Sequence, residues 1–368
     1  MSFHEQIYEK VLAFIHRPVD EGFDALALEV FRYQFESVRP YRRFCEERGV
    51  NPSAVRNVVD VPAVSNVAFK YADLSFDNAD SSPDALTFLT SGTTEGRERR
   101  GRHIVPRPEI YRASALAHLR AMLFPDNRRL AMLSIHPRAD EMPESSLARM
   151  ITWCVEEFGT GEQLVAASRD RVDTGAAIRF LADAESKREP VCILGTTAAF
   201  ASVFSDLRER GAKYQLANGS RMMDTGGAKG QATPLSAHEV REAAGELLAI
   251  PPAMVINEYG MTELCSQLYD ATPLNSPRAS DSTERLKIPP PWLHVAARDP
   301  VTLMPVADGE VGMLTFFDLA NVGSVSAVMS EDLGYVEDGR VRILGRGVAR
   351  DARGCALSIG QFSAEVAR

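Results

Sequence analysis

Two short polar stretches carry the residues of this chain that are best suited to chemistry, and about 160 residues separate them. The first, residues 90–96, reads Thr-Ser-Gly-Thr-Thr-Glu-Gly and follows the apolar run at residues 85–89. Glycines let the backbone turn its N–H groups toward an anion, and the hydroxyls add further hydrogen-bond donors. This composition suits a loop that holds a polyphosphate, although clusters of Gly, Ser and Thr also form ordinary surface turns.

The loop differs from two common nucleotide-binding motifs. No Gly-Lys-Ser/Thr follows its glycines, which excludes a Walker P-loop, and the dinucleotide fingerprint Gly-x-Gly-x-x-Gly is absent. Arginines follow the loop directly and offer positive charge to phosphate, or in the alternative a solvated basic face on a hairpin turn. The candidate phosphate-binding residues are Thr90, Ser91, Gly92, Thr93, Thr94 and Gly96, and the arginines are Arg97, Arg99, Arg100 and Arg102.

The second stretch, residues 257–263, reads Asn-Glu-Tyr-Gly-Met-Thr-Glu after the apolar run at residues 253–256. Tyr259 offers a flat ring for a purine, a stacking contact typically worth about 1–3 kcal/mol. Thr262 offers a hydroxyl to a phosphate oxygen, and Glu263 offers the carboxylate oxygen that Mg²⁺ prefers. For each residue alone, the end of a strand with a half-buried Tyr and a solvated Glu is the simpler interpretation. Together, and after the first loop, they indicate a nucleotide site.

Four motifs in this order resemble those of the adenylate-forming superfamily of acyl-CoA synthetases, firefly-type luciferases and peptide-synthetase adenylation domains. They are the phosphate loop at 90–96, a glycine-rich loop at 224–229, the Tyr-Gly-x-Thr-Glu motif at 257–263 and an aspartate motif at 330–335. Gly345 and Arg346 also resemble the hinge strand of that superfamily. The resemblance implies the α/β fold of its large N-terminal domain, with layered sheets and flanking helices, and a reaction that joins a carboxylic acid to AMP.

The resemblance also implies a role for each matching residue. ATP and Mg²⁺ are the implied cofactors, with Glu263 as the metal ligand and Thr262 beside it in catalysis. Asp332 and Arg346 match the residues that contact ribose. The residues that match the adenine-binding positions are Gly226, Gly227, Ala228, Tyr259 and Gly260.

The C-terminal part of the sequence departs from the superfamily. Members usually carry a mobile lid domain after the hinge, with a lysine that assists adenylation, but only 22 residues follow Arg346 and the last lysine is Lys287. We therefore expect a catalytic domain over residues 1–345, a truncated lid, and a short tail over residues 346–368. Arginines, Mg²⁺ and backbone N–H groups are then expected to neutralise pyrophosphate in place of lysine.

One subfamily is similar in its layout, namely the acyl-protein synthetases (LuxE-like) of bacterial bioluminescence, also called long-chain fatty acid–luciferin component ligases. Its members accept the acyl group on a cysteine near the C-terminus, and Cys355 matches that position. Arg350 and Arg353 lie beside Cys355 in the sequence, and nearby cations favour the nucleophilic thiolate. A small, half-buried structural cysteine is the alternative interpretation.

The resulting hypothesis is an ATP-dependent acid–thiol ligase. It activates a carboxylic acid, expected to be a fatty acid, as the acyl adenylate and transfers the acyl group to Cys355 as a thioester. A partner protein such as a reductase then receives the acyl group. In one alternative the acceptor is CoA or a carrier protein and Cys355 is incidental. In another the chain is a nucleotide-binding protein that has lost catalysis.

Composition sets further bounds. The formal net charge of −9 argues against nucleic acid as a partner. No apolar run reaches the roughly 18–20 residues that span a bilayer, and the N-terminus has no signal-peptide pattern. The five cysteines are scattered, without metal-binding or redox spacing, which favours a reducing cytoplasm.

The elements that must position the motifs alternate between helices and strands, which is typical of a layered α/β fold. Strands are predicted at 85–89, 130–134, 191–195 and 253–256, and helices at 5–15, 22–48 with a break at Pro40, 107–123, and 236–248 with a capping box. The Pro- and Ser-rich residues 271–291 predict a long surface loop. Residues 195–200 either line the acid pocket or begin a helix, and His136 is either a gate or a loop histidine with its polar groups satisfied.

Overall fold

The computed structural model describes residues 3–90, 100–226, 235–276, 279 and 285–346 of the 368-residue chain. Several predicted site residues lie outside these ranges, namely Ser91, Gly92, Thr93, Thr94, Gly96, Gly227, Ala228 and Cys355. Of the predicted tail, only Arg346 is described. The domain boundary after residue 345 and the role of the tail therefore stay predictions.

The described residues divide into two compact units. The first unit contains residues 3–90, 100–117, 261–267 and 286–346. The second unit contains residues 118–226, 235–260, 268–276, 279 and 285. The chain passes from the second unit to the first between Gly260 and Met261, in the middle of the Tyr-Gly-x-Thr-Glu motif.

The helices predicted at 5–15, 22–48, 107–123 and 236–248 are observed close to their predicted bounds, with the second divided into two helices. The α-helices of the described residues are α1 Phe3–His16, α2 Phe23–Ser37, α3 Arg39–Glu47, α4 Pro108–Leu123, α5 Ser146–Phe158, α6 Thr174–Lys187, α7 Thr197–Glu209 and α8 Ala237–Leu248. Pro40 lies in the first turn of α3, where its missing N–H costs no hydrogen bond, and the break falls at Val38. Ser236 and Glu239 form the predicted capping box at the start of α8.

The strands are β1 Val64–Ser65, β2 Leu86–Leu89, β3 Arg102–Val105, β4 Leu130–Ser134, β5 Gly159–Val165, β6 Val191–Thr196, β7 Arg221–Thr225, β8 Val255–Tyr259, β9 Leu268–Asp270, β10 Lys287–Ile288, β11 Leu293–Arg298, β12 Gly312–Asp318, β13 Ala327–Glu337 and β14 Arg340–Arg346. The strand predicted at 253–256 begins two residues later than expected, because Pro252–Met254 form a 3₁₀ turn.

In the first unit, β11, β12, β13, β14 and β10 form an antiparallel sheet in that order, and β1 pairs in parallel with β13. Alternate residues of β11 are buried, as expected for a sheet with one face on the core. Strands β2 and β3 form a separate antiparallel ribbon, with Leu89 opposite Arg102. The residues that join β2 to β3 are those of the predicted phosphate loop.

In the second unit, β5, β4, β6, β7 and β8 are parallel neighbours in that order, and β9 pairs antiparallel with β8. Every residue of β4 and β7 is buried, which is typical of parallel strands covered on both faces. Helices α6, α7 and α8 contribute to a large apolar cluster, where Phe200 and Phe204 stack. Ligands of such sheets usually bind at the carboxyl ends of the strands, and the motif residues Thr225 and Tyr259 lie at those ends.

The predicted α/β class is confirmed, but the surface loop predicted at 271–291 is wrong for much of its described part. Thr272, Arg285 and Lys287 are buried. Asn275 donates hydrogen bonds to the backbone oxygens of Asp270 (3.0 Å) and Met122 (3.1 Å), which fixes the segment after β9 against its own unit. The Asn275 side chain is thus used in internal hydrogen bonds.

Candidate functional site

The connection between β2 and β3, which contains the predicted phosphate loop 90–96, is closed at its base by hydrogen bonds between residues 89–90 and 100–101. Thr90 N donates to Gly101 O at 3.0 Å, and Gly101 N donates to the Thr90 hydroxyl at 2.8 Å. Arg100 donates through Nε to Thr90 O (2.6 Å) and through Nη2 to Leu89 O (3.1 Å). Thr90 and Arg100 therefore hold the strands that carry the loop, whose residues 91–99 lie outside the described ranges.

The arginines expected to neutralise phosphate are partly engaged elsewhere. Arg102 lies 3.1 Å from Asp73 and 3.6 Å from Asp80 on the surface of the first unit. The Arg100 guanidinium already donates to the carbonyl oxygens of Leu89 and Thr90, so its described role is to stabilise the backbone there. Arg97 and Arg99 lie outside the described residues, so the cation that faces phosphate stays a prediction.

In the second unit, polar side chains meet at the carboxyl ends of β6, β7 and β8. The buried Asp224 carboxylate accepts hydrogen bonds from Asn257 Nδ2 (2.8 Å) and Thr197 Oγ1 (3.1 Å). Thr197 Oγ1 also lies 3.0 Å from Gly226 O. These contacts fix the start of the predicted glycine-rich loop relative to the end of β8. Thr197 and Asp224 both lie in stretches named from the sequence, 195–200 and 224–229, but neither was given an individual role there.

Gly226 and Tyr259 lie at the ends of the adjacent parallel strands β7 and β8. Thr225 is paired with Glu258 in register, and the Thr225 hydroxyl donates to the buried Glu258 carboxylate. Gly226 has φ +91°, a left-handed conformation that favours glycine. Tyr259 is half-buried. The structure thus places two of the residues predicted beside adenine at the ends of neighbouring strands, and Gly260 directly follows Tyr259 in the chain.

In the first unit, Thr262 and Glu263 begin a short segment whose backbone is held by buried side chains. His103 on β3 contacts the carbonyl oxygen of Thr262 at 2.6 Å, and Asn321 Nδ2 donates to the carbonyl oxygen of Glu263 at 2.9 Å. The Asp318 carboxylate accepts hydrogen bonds from Cys265 N at 2.9 Å and from the Ser266 hydroxyl at 2.7 Å. Glu263 is itself 6% exposed.

Two titratable groups of this network have shifted pKa values, and burial is the main cause of both shifts. Burial lowers the pKa of His103 to about 4. Since a carbonyl oxygen only accepts, the Nδ1 atom of the neutral ring carries the proton that binds Thr262. Burial raises the pKa of the Asp318 carboxyl to about 6, although several hydrogen bonds lower it in part. His103, Asp318 and Asn321 belong to no motif, and sequence reasoning missed them.

Asp332 and Arg346, the two predicted ribose contacts, are directly opposite each other on the antiparallel strands β13 and β14. The pairing shifts between Leu333 and Gly334 next to them. Gly345 has φ +109°, and an added Cβ at Gly334 would lie 2.1 Å from Arg342 O, so both positions need glycine. Arg346 is the last residue of β14, and Asp332 lies opposite it in the middle of β13.

The donor set fits a nucleotide-bound Mg²⁺ better than a metal held by protein alone. Within the described ranges, no group of three or more His, Cys, Asp or Glu side chains is placed to hold a metal ion. Mg²⁺ is usually bound by one or two carboxylates together with water and substrate phosphates. A single carboxylate at Glu263 meets that requirement when ATP supplies the remaining oxygens.

Other predicted positions have structural roles in the described chain. Thr196 caps α7 and Phe200 lies in the core, as expected for the start of a helix. His136 is buried with Nδ1 3.0 Å from Pro137 O. No helix in the part of the chain that the structure describes is long and apolar enough to cross a membrane.

The fold matches that of solved adenylate-forming ligases. A 2-hydroxyisobutyryl-CoA ligase in an open conformation, crystallised with 2-HIB-AMP and CoA, superimposes with a TM-score of 0.63. The match covers 88% of this chain and 69% of that chain at 17% sequence identity. The fold predicted from the motifs, that of an adenylate-forming catalytic domain, is therefore confirmed.

Sequence relationships define the family. Residues 12–363 match the family described as acyl-protein synthetase, LuxE, so the chain belongs to that family. A long-chain-fatty-acid–luciferin-component ligase of Aliivibrio fischeri is 22% identical over 369 residues, which cover 95% of this chain and 92% of that protein. The ligase of the same name from Vibrio harveyi is 24% identical over 349 residues, 90% and 85% of the two chains. The predicted acid-ligase class is confirmed.

Proposed function

We propose that this protein uses MgATP to convert a long-chain fatty acid into its acyl adenylate and then transfers the acyl group to a thiol, that of Cys355. The family match over residues 12–363 carries the proposal. The shared name of the two bacterial relatives supports a long-chain fatty acid as the substrate. The adenylate-forming fold supports ATP as the co-substrate.

In the proposed first step, a carboxylate oxygen of the acid attacks the α-phosphorus of ATP. A P–O bond forms, the bond to the bridging oxygen breaks, and pyrophosphate leaves. Mg²⁺ held by Glu263 would neutralise phosphate charge during this step. Thr262 lies beside Glu263 in the chain and would donate its hydroxyl to a phosphate oxygen. The protein's contribution is mainly to orient the reactants.

The other predicted residues hold the nucleotide in this proposal. Tyr259 stacks on adenine and Gly226 and Gly260 leave room beside it, which their positions at the ends of β7 and β8 support. Asp332 and Arg346 bind the ribose hydroxyls, which their opposed register supports. Residues 90–96 hold the phosphates, a role supported by the sequence of that loop.

In the proposed second step, the Cys355 thiolate attacks the acyl carbon, the bond from that carbon to the phosphate oxygen breaks, and AMP leaves. The thiol proton passes to solvent. The four other cysteines support this assignment because all are buried, and burial raises their thiol pKa, for Cys45 and Cys192 to about 12. Thiols of that kind are poor nucleophiles. CoA or a carrier protein is the alternative acceptor.

The test has two parts. Acid-dependent ATP–pyrophosphate exchange, measured with fatty acids of different lengths, reports the first step. Intact-mass and peptide analysis after incubation with MgATP and acid then reports the second step, in the wild type, in Cys355→Ser and in the tail control Ser358→Ala.

The proposal expects exchange in all three proteins and an acyl adduct in the wild type and Ser358→Ala only. Exchange without an adduct, together with turnover when CoA is added, would assign CoA as the acceptor. Nucleotide binding without exchange for any acid would indicate a protein that has lost catalysis.

A further inference from the structure

The segment that carries Glu263 is held by a buried polar network formed by His103, Asp318 and Asn321. We propose that these three are positioning residues, which fix the backbone of residues 262–266 so that the Glu263 carboxylate meets the divalent cation of MgATP. The inference rests on the proposed function. The three residues come from β3, from the end of β12 and from the turn after it, and no motif includes them.

Asn321 links the segment to the turn between β12 and β13. Its Nδ2 donates to Glu263 O and to Val325 O, both at 2.9 Å, and its Oδ1 lies 3.5 Å from Cys265 Sγ. Both ends of the amide are therefore used, and Asn321 is 2% exposed. The Asn321 side chain therefore holds the two backbone segments in a fixed arrangement.

Asp318 fixes the far end of the segment. Its fully buried carboxylate accepts hydrogen bonds from Cys265 N (2.9 Å), the Ser266 hydroxyl (2.7 Å) and Ala320 N (3.0 Å). The chain of hydrogen bonds continues from Ser266 Oγ to Ser114 Oγ (3.0 Å) and then to Trp292 Nε1 (2.8 Å). Because an indole N–H only donates and an ionised carboxylate only accepts, every proton in this chain points toward Asp318.

His103 fixes the near end. The Nδ1–H of its neutral ring donates to Thr262 O, the residue directly before Glu263. The ring is buried and packs edge-on against Phe69, with centroids 5.7 Å apart. The backbone is thus held at Thr262, Glu263 and Cys265, on both sides of the proposed metal ligand.

The free-energy cost of burying the charged and polar groups of this network favours a positioning role over a role in stability alone. A buried ionised carboxylate is destabilising, and well-packed apolar side chains are often at least as stabilising as buried charged groups. Fully satisfied buried networks instead specify one arrangement of the groups they bind. Removing such a supporting hydrogen bond typically weakens metal binding about 10–100-fold.

The experiment measures Mn²⁺ binding by EPR in the presence of α,β-methylene ATP, alongside Mg²⁺ titration of acid-dependent exchange. Asn321→Ala and Asp318→Asn remove contacts with residues 262–266. Ser324→Ala is the matched control, because Ser324 lies in the same turn and its hydroxyl donates instead to Leu74 O at 2.6 Å. We expect both network variants to bind Mn²⁺ about tenfold more weakly or worse, and the control to stay within about twofold of the wild type.

Substitutions at His103 separate positioning from loss of packing. The amide N–H of His103→Asn can replace the Nδ1–H, whereas His103→Leu keeps bulk and loses the donor. Near-wild-type Mn²⁺ affinity in His103→Asn with weak binding in His103→Leu supports the inference, and urea midpoints verify that each variant is folded.

The two possible failures give different results. Equal Mn²⁺ affinity in Asn321→Ala, Asp318→Asn and Ser324→Ala, with normal exchange in the wild type, would overturn the positioning role alone. A wild type that neither binds the Mn²⁺–nucleotide complex nor catalyses exchange would overturn the proposed function and the positioning role with it.

Discussion

The pKa shifts of the buried Asp318 and His103 have opposite effects on folding stability in acid, and the Asp318→Asn variant separates the two effects. Burial raises the pKa of Asp318 from 3.8 to about 6 in the folded protein. A group with a raised folded pKa binds protons more tightly in the folded state, so its stabilising contribution is present at low pH and is lost as the pH rises through 6. Protonation of Asp318 therefore stabilises the folded wild type as the pH falls from 7.

His103 acts in the other direction. Its pKa is lowered from 6.5 to about 4, so its contribution is present above pH 6.5 and is lost as the pH falls toward 4. A tenfold difference in proton affinity between the folded and unfolded states corresponds to about 1.4 kcal/mol, so Asp318 adds on the order of 1 kcal/mol of stability between pH 7 and pH 5. His103 removes about 2 kcal/mol over the same interval. The two effects partly cancel in the wild type.

The assay is urea unfolding at pH 7 and pH 5 for the wild type, Asp318→Asn and His103→Asn. Asp318→Asn is expected to lose on the order of 1 kcal/mol more stability than the wild type on acidification, because the contribution of His103 is no longer offset. His103→Asn is expected to lose about 2 kcal/mol less than the wild type. Parallel pH dependence in all three proteins would refute the burial of these two groups in the folded chain.

Three further substitutions test the candidate site. Glu263→Gln keeps the size of the side chain and removes its charge, so acid-dependent exchange should fall about 10²–10³-fold at an unchanged urea midpoint; exchange near the wild-type rate would exclude the metal role. Asp332→Ala should raise the KM for ATP about tenfold or more and leave the KM for the acid unchanged, since it removes the proposed charged hydrogen bond to ribose, and an effect on the acid alone would contradict that assignment. Gly334→Ala should destabilise the fold by about 3 kcal/mol in thermal or urea unfolding, because its Cβ would lie 2.1 Å from Arg342 O, and a stable variant would show that β13 and β14 pair differently.

Local patterns were sufficient to predict the elements that carry the motifs. The capping box at Ser236 and the apolar runs of β2, β4 and β6 act over a few residues, and the structure confirms them. These elements depend on short-range interactions. The pairing of Asp332 with Arg346 was not predicted, because the register of β13 and β14 shifts between Leu333 and Gly334.

The supporting network depends on contacts between residues far apart in the chain, and sequence patterns do not specify it. His103 contacts Thr262 across 159 positions, and Asn321 contacts Glu263 across 58. In the sequence alone, a His or an Asn at these positions is as typical of an exposed loop as of a buried network. The described part of residues 271–291 is a second example. Its polar composition predicted a surface position, but part of it is buried and is hydrogen-bonded to its own unit. Only the tertiary fold distinguishes these cases.

The central claim is that a carboxylate oxygen attacks the α-phosphorus of ATP and that the acyl group then leaves AMP behind. Fatty acid labelled with ¹⁸O in its carboxylate tests this directly, with mass spectrometry of the AMP released during acyl transfer to the enzyme or to an added thiol. The account predicts AMP carrying one ¹⁸O, because the attacking oxygen stays on phosphorus when the thiol displaces it from the acyl carbon. Unlabelled AMP, or label found in pyrophosphate or phosphate, would contradict it.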